Sequence, residues 1–374
     1  MLDGRAAVVT ELIGSVAGLI GDQADGWDLA GELPRELLSK LGAQGVLCAQ
    51  VPVQYGGLGL SSAANGELTA HMGSLCGSVR SVMTSQGMGA WAIQRLGSAE
   101  QRASFLPRLA EGALIAVGFS ETNAGSDLSG MATRIRGDGD EVLVDGRKVW
   151  TTAARYADLL VIFGRYRDGA TAVVVPADAP GVTLTRVANP SGCRAAGHAD
   201  VVLDGVRLPA ANVLGGAGLS LPLVVTAALT YGRMSVAWGC VGILRACLRA
   251  ATEHVVTRTQ FGKRLAEHQL VSQHVAELLV GEQTATRVCE HASSCWDSGS
   301  TQVMVNAVLA KYVSSREAAK GSARAVQLLA SAAAHDGHVI ARAYRDAKLM
   351  EIIEGTTEIC QLILAQHARE QAWR

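Results

Sequence analysis

The chain has 374 residues, enough for two or three domains or one large mixed domain. Nearly half of it (49%) is apolar, which supplies a sizeable core and excludes a disordered chain. Its 33 basic and 34 acidic residues leave a formal charge of -1 and only 4% of it is aromatic, which argues against a nucleic-acid binder, since that needs a basic excess or stacking rings.

Residues 1–113 read as helical, with helices predicted over 6–20, 34–41 and 67–72. Pro34 suits a first turn and Pro107 reads as a break. Gly56-Gly-Leu-Gly59 marks a loop, and Ser61 or Ser62 can cap the helix after it. From 114 to 215 the texture changes to short β-type runs at 115–118, 141–144, 158–164, 172–175, 182–187 and 201–208, separated by Gly-Asp and Pro turns. They predict an antiparallel barrel-like or sandwich domain. A Gly-rich link follows at 215–219. Pro222 is the last proline, and the stretch from there to 374 is rich in Ala, Leu, Val, Arg and Glu at helical spacing, which predicts a bundle of long helices. The fold class is therefore α+β in three parts, 1–113, 114–215 and 216–374. The 42 glycines are expected mainly in loops that approach a ligand closely.

The eight cysteines contain no Cys-x-x-Cys pair. His291 lies between Cys289 and Cys295, but no second cluster completes a zinc site, so no metal is expected. Cysteines among apolar neighbours suit a reducing cytoplasm. The opening Met-Leu-Asp-Gly-Arg carries charge too early for a signal peptide, and apolar stretches such as 219–229 are too short to span a membrane.

Five segments concentrate residues that can do chemistry. Ser78-Val-Arg-Ser-Val-Met-Thr-Ser-Gln-Gly87 puts Arg80 among apolar and small residues, where a guanidinium needs a partner or must snorkel to solvent. Gly118-Phe-Ser-Glu-Thr-Asn-Ala-Gly-Ser-Asp127 offers the hydroxyls of Ser120 and Ser126, and Gly125 lets backbone N–H groups face an electron-rich ring or a phosphate; a polar turn reads the same way. Lys148-Val-Trp-Thr-Thr152 sets Trp150 as a flat wall beside Thr152, or as a core tryptophan. In Arg258-Thr-Gln-Phe-Gly-Lys-Arg264, Arg258 can pair with a pyrophosphate, Gln260 can hydrogen-bond and Phe261 can stack on adenine, unless this is only a basic interhelix turn. No Gly-x-Gly-x-x-Gly joins a strand to a helix, so NAD loses ground.

The fifth segment, 344–359, is the most informative. Apolar side chains run down a helix to Ile353, and then come Glu354, Gly355 and two threonines. A carboxylate after Ile352-Ile353 is short of water, which raises its pKa and makes it a better proton acceptor near neutral pH. A surface glutamate at a helix end is the plain alternative. Gly355 stops the helix and lets the backbone pass close to a flat ligand.

Together these segments resemble the acyl-CoA dehydrogenase family in order and spacing, from about residue 50 to 365. The resemblance implies FAD as cofactor, with Glu354 removing the α-proton of an acyl thioester held against the flavin. The loop at 118–127 is similar to Leu-Thr-Glu-Pro-Gly-Ala-Gly-Ser-Asp, with Ser120 for the threonine and Thr122-Asn123 for Pro-Gly. Its resemblance implies that Ser120 and Ser126 serve the flavin's pyrimidine side. Trp150 would pack on the isoalloxazine and Thr152 would bond near N5, where a donor stabilises charge on the reduced ring. Arg258, Gln260 and Phe261 match Arg-x-x-Phe-Gly, which in the family binds the adenosine half of FAD, commonly across a subunit boundary; a homodimer or homotetramer is implied. Where the family has Gln-x-x-Gly-Gly-x-Gly this chain keeps Gln327 but has Ala330, Ser331 and Ala333, each adding at least a Cβ, so an altered fit is expected. Thr356 and Glu358 match positions that also touch the cofactor.

Some family branches carry the base on an earlier helix, just before an arginine. Here Thr230-Tyr-Gly-Arg-Met234 offers only Gly232, which leaves Glu354 as the candidate and Arg233 as its partner or a packing residue. Arg80 and Ser81 are similar to a pair that holds the distal carboxylate in glutaryl-CoA dehydrogenases. With Thr84, Ser85 and Gln86 they imply a short acyl group ending in an acid or its polar precursor, with Gly355 on the substrate side. Over nearly its whole length the chain is similar to the acyl-CoA dehydrogenase-like proteins of polyketide gene clusters that make methoxymalonyl extender units. The runs Ser191-Gly-Cys-Arg-Ala-Ala-Gly-His-Ala199 and Met350-Glu-Ile-Ile-Glu-Gly355 carry that likeness. It implies a three-carbon 2-hydroxyacyl thioester on an acyl carrier protein, oxidised towards hydroxymalonyl. The rival expectations are a short-chain or dicarboxylic acyl-CoA dehydrogenase and a catalytically silent flavin- or acyl-binding subunit. No motif names the electron acceptor, and neither nucleic acid nor membrane is expected as a partner.

Overall fold

The structure, a computed structural model, describes residues 2–372. Six helices come first: α1 (Leu2–Ile20), α2 (Ala24–Ala30), α3 (Arg35–Ala43), α4 (Ser62–Leu75), α5 (Gly77–Leu96) and α6 (Ala99–Ala110). Ser61 caps α4, its hydroxyl accepting from the Ala64 N–H at 3.2 Å. Pro107 lies inside α6 and does not end it. Its missing N–H removes one helical bond. Buried Leu106 and Leu109 still hold that last turn on the core.

The sheet strands are β1 (Ile115–Gly118), β2 (Arg134–Asp138), β3 (Glu141–Thr151), β4 (Leu159–Tyr166), β5 (Gly169–Pro176), β6 (Val182–Arg186), β7 (Ala199–Pro209) and β8 (Val213–Leu219). Their order is β6-β7-β3-β2-β4-β5-β8, with β1 also on β4. The sheet is mixed, not antiparallel throughout, because β1 and β2 both run parallel to β4. The loop between β1 and β2 therefore carries the chain onward along β4, from partners 159–162 to partners 165–166. The expected Gly-rich link is strand β8, whose backbone pairs with β5. Strand pairing satisfies N–H and C=O groups whatever the side chain. Strand β2 gave no signal in the sequence because only Ile135 in it is buried.

The last part contains α7 (Leu221–Thr257), a small hairpin of β9 (Thr259–Gln260) and β10 (Lys263–Arg264), then α8 (Gln269–Asp297), α9 (Val303–Leu329), α10 (Val339–Ile352) and α11 (Thr357–Ala372). Helices α7 to α10 pack as a four-helix bundle, and α11 lies on α9. The segment Leu223–Thr257 is long and apolar enough to cross a membrane, contrary to the expectation that no stretch would be. Most of it is buried, against α4, α5, α8 and α9, as the central helix of the core. Glycines serve helix packing as well as loops. A methyl group on Gly242 of α7 would stand 2.1 Å from Ala70 O of α4, so these two helices touch backbone to backbone.

Candidate active site

A cavity of about 590 Å³ opens between the β1–β2 loop, the first half of α7 and the α10–α11 link. The loop contributes Ser120 and Ser126, α7 contributes Leu229 and Arg233, and the link contributes Glu354 and Gly355.

The link reaches the cavity by an irregular path. Helix α10 stops at Ile352, before the glycine that was expected to stop it. Ile353 is extended, Glu354 has φ 54° and Gly355 has φ 95°. Two cations hold this left-handed segment. Arg233 Nε donates to the Glu354 carbonyl at 3.2 Å. Lys311 of α9, fully buried, donates to the carbonyls of Gly355 at 2.5 Å and Glu351 at 3.3 Å. Ile352 is 49% exposed and does not dry the carboxylate. Helix α7 does: Gly232 leaves the gap that the carboxylate fills, and a methyl there would stand 2.5 Å from Glu354 Oε2. That oxygen is shut from solvent and has no hydrogen-bond partner. Burial raises the Glu354 pKa, and the charges of Arg233, Lys311 and Arg80 pull it partly back. An unsatisfied carboxylate beside an open cavity is poised to take a proton.

A buried ion pair that sequence reading missed fixes the loop. Lys148 Nζ lies 2.7 Å from Glu121 Oε1, both side chains almost wholly buried. Glu121 also accepts from Thr133 Oγ1 at 2.5 Å and from the N–H groups of Thr133 and Ala132 at 3.0 and 2.6 Å. Burial pushes the Glu121 pKa up, and these bonds more than offset it, leaving it below the usual value. Burial pulls Lys148 down to about 8 against the attraction of Glu121. The pair is ionised at neutral pH and welds the motifs at 118–127 and 148–152 together. Lys148→Met strands a buried carboxylate. We expect it to destabilise the fold by about 3–5 kcal/mol, read from urea unfolding at pH 7.

The remaining expected site residues lie off the cavity wall. Trp150 has φ 56° and is 54% exposed, its ring 5.8 Å from that of His198. Thr152 Oγ1 shares a hydrogen bond of 3.2 Å with His198 Nδ1. Burial and the charge of Arg80 lower His198 to about 4, so its ring is neutral. Arg80 does not snorkel; it is 1% exposed. It donates to Thr84 Oγ1 at 3.1 Å, Ser81 Oγ at 2.9 Å and Met350 Sδ at 3.0 Å, and among the described residues it forms no salt bridge. Ser85 bonds the Thr152 carbonyl, and Gln86 bridges Ala113 O and Ile115 N, so these two tie α5 to the sheet.

Arg258, Gln260 and Phe261 sit exposed at the β9–β10 hairpin, Phe261 at 94%. Gln327 is exposed near the end of α9. Beyond it Ala330 has φ 49° and ψ -127°, a conformation that suits glycine. Ser331 is exposed and Ala333 buried. Thr356 Oγ1 accepts from Ile359 N at 3.4 Å at the start of α11, with Glu358 exposed beside it.

Known proteins are similar to this chain in sequence and fold. Residues 14–113, 116–206 and 222–368 match the N-terminal, middle and C-terminal domain models of acyl-CoA dehydrogenases. A probable acyl-CoA dehydrogenase of Bacillus subtilis, YngJ, is 32% identical over 355 residues, 93% of each chain. The chain belongs to the acyl-CoA dehydrogenase family. A solved structure of FkbI, described as serving biosynthesis of the methoxymalonyl extender unit of the FK520 polyketide immunosuppressant, is 61% identical. It covers 96% of this chain and 99% of its own, with a TM-score of 0.92. A glutaryl-CoA dehydrogenase from Mycobacterium smegmatis, solved with FADH2, is 27% identical over 98% of this chain and 94% of its own, also with a TM-score of 0.92. This acyl-CoA dehydrogenase is a flavin-dependent oxidoreductase with FAD as its cofactor. Its residues fit that group: a largely apolar cavity, serine hydroxyls on one wall and a carboxylate left unsatisfied on the other.

Proposed function

We propose that this acyl-CoA dehydrogenase oxidises a short 2-hydroxyacyl thioester on an acyl carrier protein towards hydroxymalonyl, for a methoxymalonyl extender unit, with Glu354 as the base. The observation that carries the reading is the 61% identity, across 96% of the chain, to FkbI. The buried guanidinium of Arg80, hydrogen-bonded to Ser81 and Thr84 and in no salt bridge among the described residues, suits a small acid and not a fatty chain. FAD, when bound, supplies the two-electron sink. On the hydrated aldehyde of a 2-hydroxy-3-oxopropionyl group, that sink would accept the C3 hydride, Glu354 would take one hydroxyl proton, and the acid so formed would release its remaining proton to water and pair as a carboxylate with Arg80. Arg233 and Lys311 keep the base in place throughout.

In this reading Ser120, Ser126, Trp150 and Thr152 hold the flavin end of the cofactor. Arg258, Gln260, Phe261 and Gln327 hold the adenosine end of a neighbouring copy's FAD, with Thr356 and Glu358 near it. The exposure of Phe261 and its neighbours supports at least a dimer. Eight free cysteines suit the cytoplasm. The test offers the holoenzyme one three-carbon thioester on a carrier protein and on CoA, and weighs the acyl arm afterwards. A gain of one oxygen on the carrier-bound arm is expected. Loss of two hydrogens from the CoA substrate alone would favour the short-chain dehydrogenase reading.

A further inference from the structure

A small chamber of about 10 Å³ lies between α4 and α7 and shares no lining residue with the open cavity. Its polar lining is Gln50, Ser62, Asn65, Thr69, Tyr231 and Ser235, of which only Gln50 is not buried. Two groups in it have bonds to spare. Asn65 is 5% exposed, and its amide nitrogen donates to Gln50 Oε1 at 3.2 Å and to Tyr231 Oη at 3.4 Å. Its Oδ1 is shut from solvent and has no partner among the described residues. The Tyr231 hydroxyl accepts from Asn65, and among the described residues its own hydrogen has no acceptor. Ser235 leads out of the chamber towards the substrate side. Its Oγ meets Thr84 Oγ1 of α5 at 2.7 Å, and either hydroxyl can be the donor. Thr84 Oγ1 accepts from Arg80 Nη1 at 3.1 Å and lies 3.0 Å from the Arg80 carbonyl, so its hydrogen has two acceptors to swing between.

A chamber of this size has room for about one water, which needs roughly two to four polar partners. A spare acceptor, a spare hydroxyl donor and a serine are that set. Oxidation of the hydrated aldehyde breaks the C3–H bond and one O–H bond and forms a C=O bond. The hydride goes to the two-electron sink and that proton to Glu354, but the acid so formed keeps a second O–H. The bound thioester fills the open cavity, so this proton needs another way out. We infer that the chamber seats one water, and that Thr84, Ser235 and this water form a proton path from the acid at Arg80 to solvent beside Gln50. The inference rests on the aldehyde-oxidation reading above. Each hop breaks one O–H bond and forms the next: acid to Thr84, Thr84 to Ser235, Ser235 to the water, and the water to solvent. Every hydroxyl on the way ends neutral, and the substrate ends as a carboxylate on Arg80.

A crystal structure of the holoenzyme should show a water within hydrogen-bonding distance of both Asn65 Oδ1 and Ser235 Oγ; a dry chamber overturns the path. The proton itself is read in a single turnover of 2-hydroxy-3-oxopropionyl carrier protein in weak buffer. Flavin bleaching follows the hydride, and a pH-indicator dye follows the released proton. In wild type the two signals should coincide. Ser235→Ala removes one hydroxyl and should split them, the proton trailing the bleaching by roughly 10²-fold, the low end of what a positioned proton-transfer group is worth. Equal slowing of both signals would make Ser235 a packing residue between α5 and α7 and overturn the path. So would two signals that still coincide at the wild-type rate, since the proton then leaves by the open cavity. If the aldehyde thioester does not bleach wild type at all, the oxidation reading fails and takes the proton with it; a failure of the path alone leaves wild-type bleaching intact.

Discussion

Glu354→Gln is expected to keep its FAD and lose turnover by roughly 10²- to 10⁴-fold, the usual worth of a positioned general base. The substitution keeps the shape of the side chain and removes only its capacity to take a proton. Substrate bleaching of the flavin in a stopped-flow instrument checks it directly, and unchanged bleaching would remove Glu354 from the mechanism. The wild-type rate should rise with pH along a limb lying above the ordinary glutamate value of 4.5, because burial raises the Glu354 pKa. Stability should move the other way. With the folded-state pKa raised, the native protein keeps a proton that the unfolded chain has already released. Stability is therefore fully present below about pH 4.5 and is lost as pH climbs through the folded value. Glutamine cannot ionise. The Gln variant should thus melt higher than wild type at pH 8 and at about the same temperature at pH 4. A base that is costly to the fold and needed for the reaction is the ordinary trade between stability and activity.

How much of this was legible in the sequence depends on whether a feature was local. The strands at 115–118 and 182–186 appeared where short β-type runs between turn residues put them, the first buried throughout and the second half-buried on one face. Strand β2 hid because it buries only Ile135, and β8 hid because glycines carry no pattern. The end of α10 was misplaced because Gly355 looked like the stop. The tether of the link by Lys311, from 44 residues earlier in the chain, leaves no mark in the motif itself. Glu354 was singled out by its motif, yet the sequence credited its dryness to Ile352 and Ile353; Ile352 faces solvent, and the gap the carboxylate fills is left by Gly232 of α7. The Glu121–Lys148 pair spans 27 residues and was passed over for the serines and the tryptophan beside it. Sequence shows which groups are present; which charges meet is settled by the packing of β1 and its loop against β3 and of α10 against α9.

Gly232→Ala should separate the placing of the base from the soundness of the fold. Alanine in place of glycine inside a helix favours the helix by about 1 kcal/mol. Here the new methyl would stand 2.5 Å from Glu354 Oε2, 2.7 Å from its Cδ and 3.1 Å from Met88 Sδ. A carboxylate is the free end of a flexible side chain, so it yields and the helix does not. Melting temperature should hold or rise. Activity should fall on the order of 10²-fold, the cost of moving a reacting group by about an ångström. The displaced carboxylate moves off α7 towards the cavity and its water, so its pKa should fall and the acid limb of the rate should slide to lower pH. Combining Gly232→Ala with Glu354→Gln should cost little beyond Glu354→Gln alone, because both changes act through one group. Full additivity in that double variant would mean that the glycine serves the reaction by some route other than making room for Glu354.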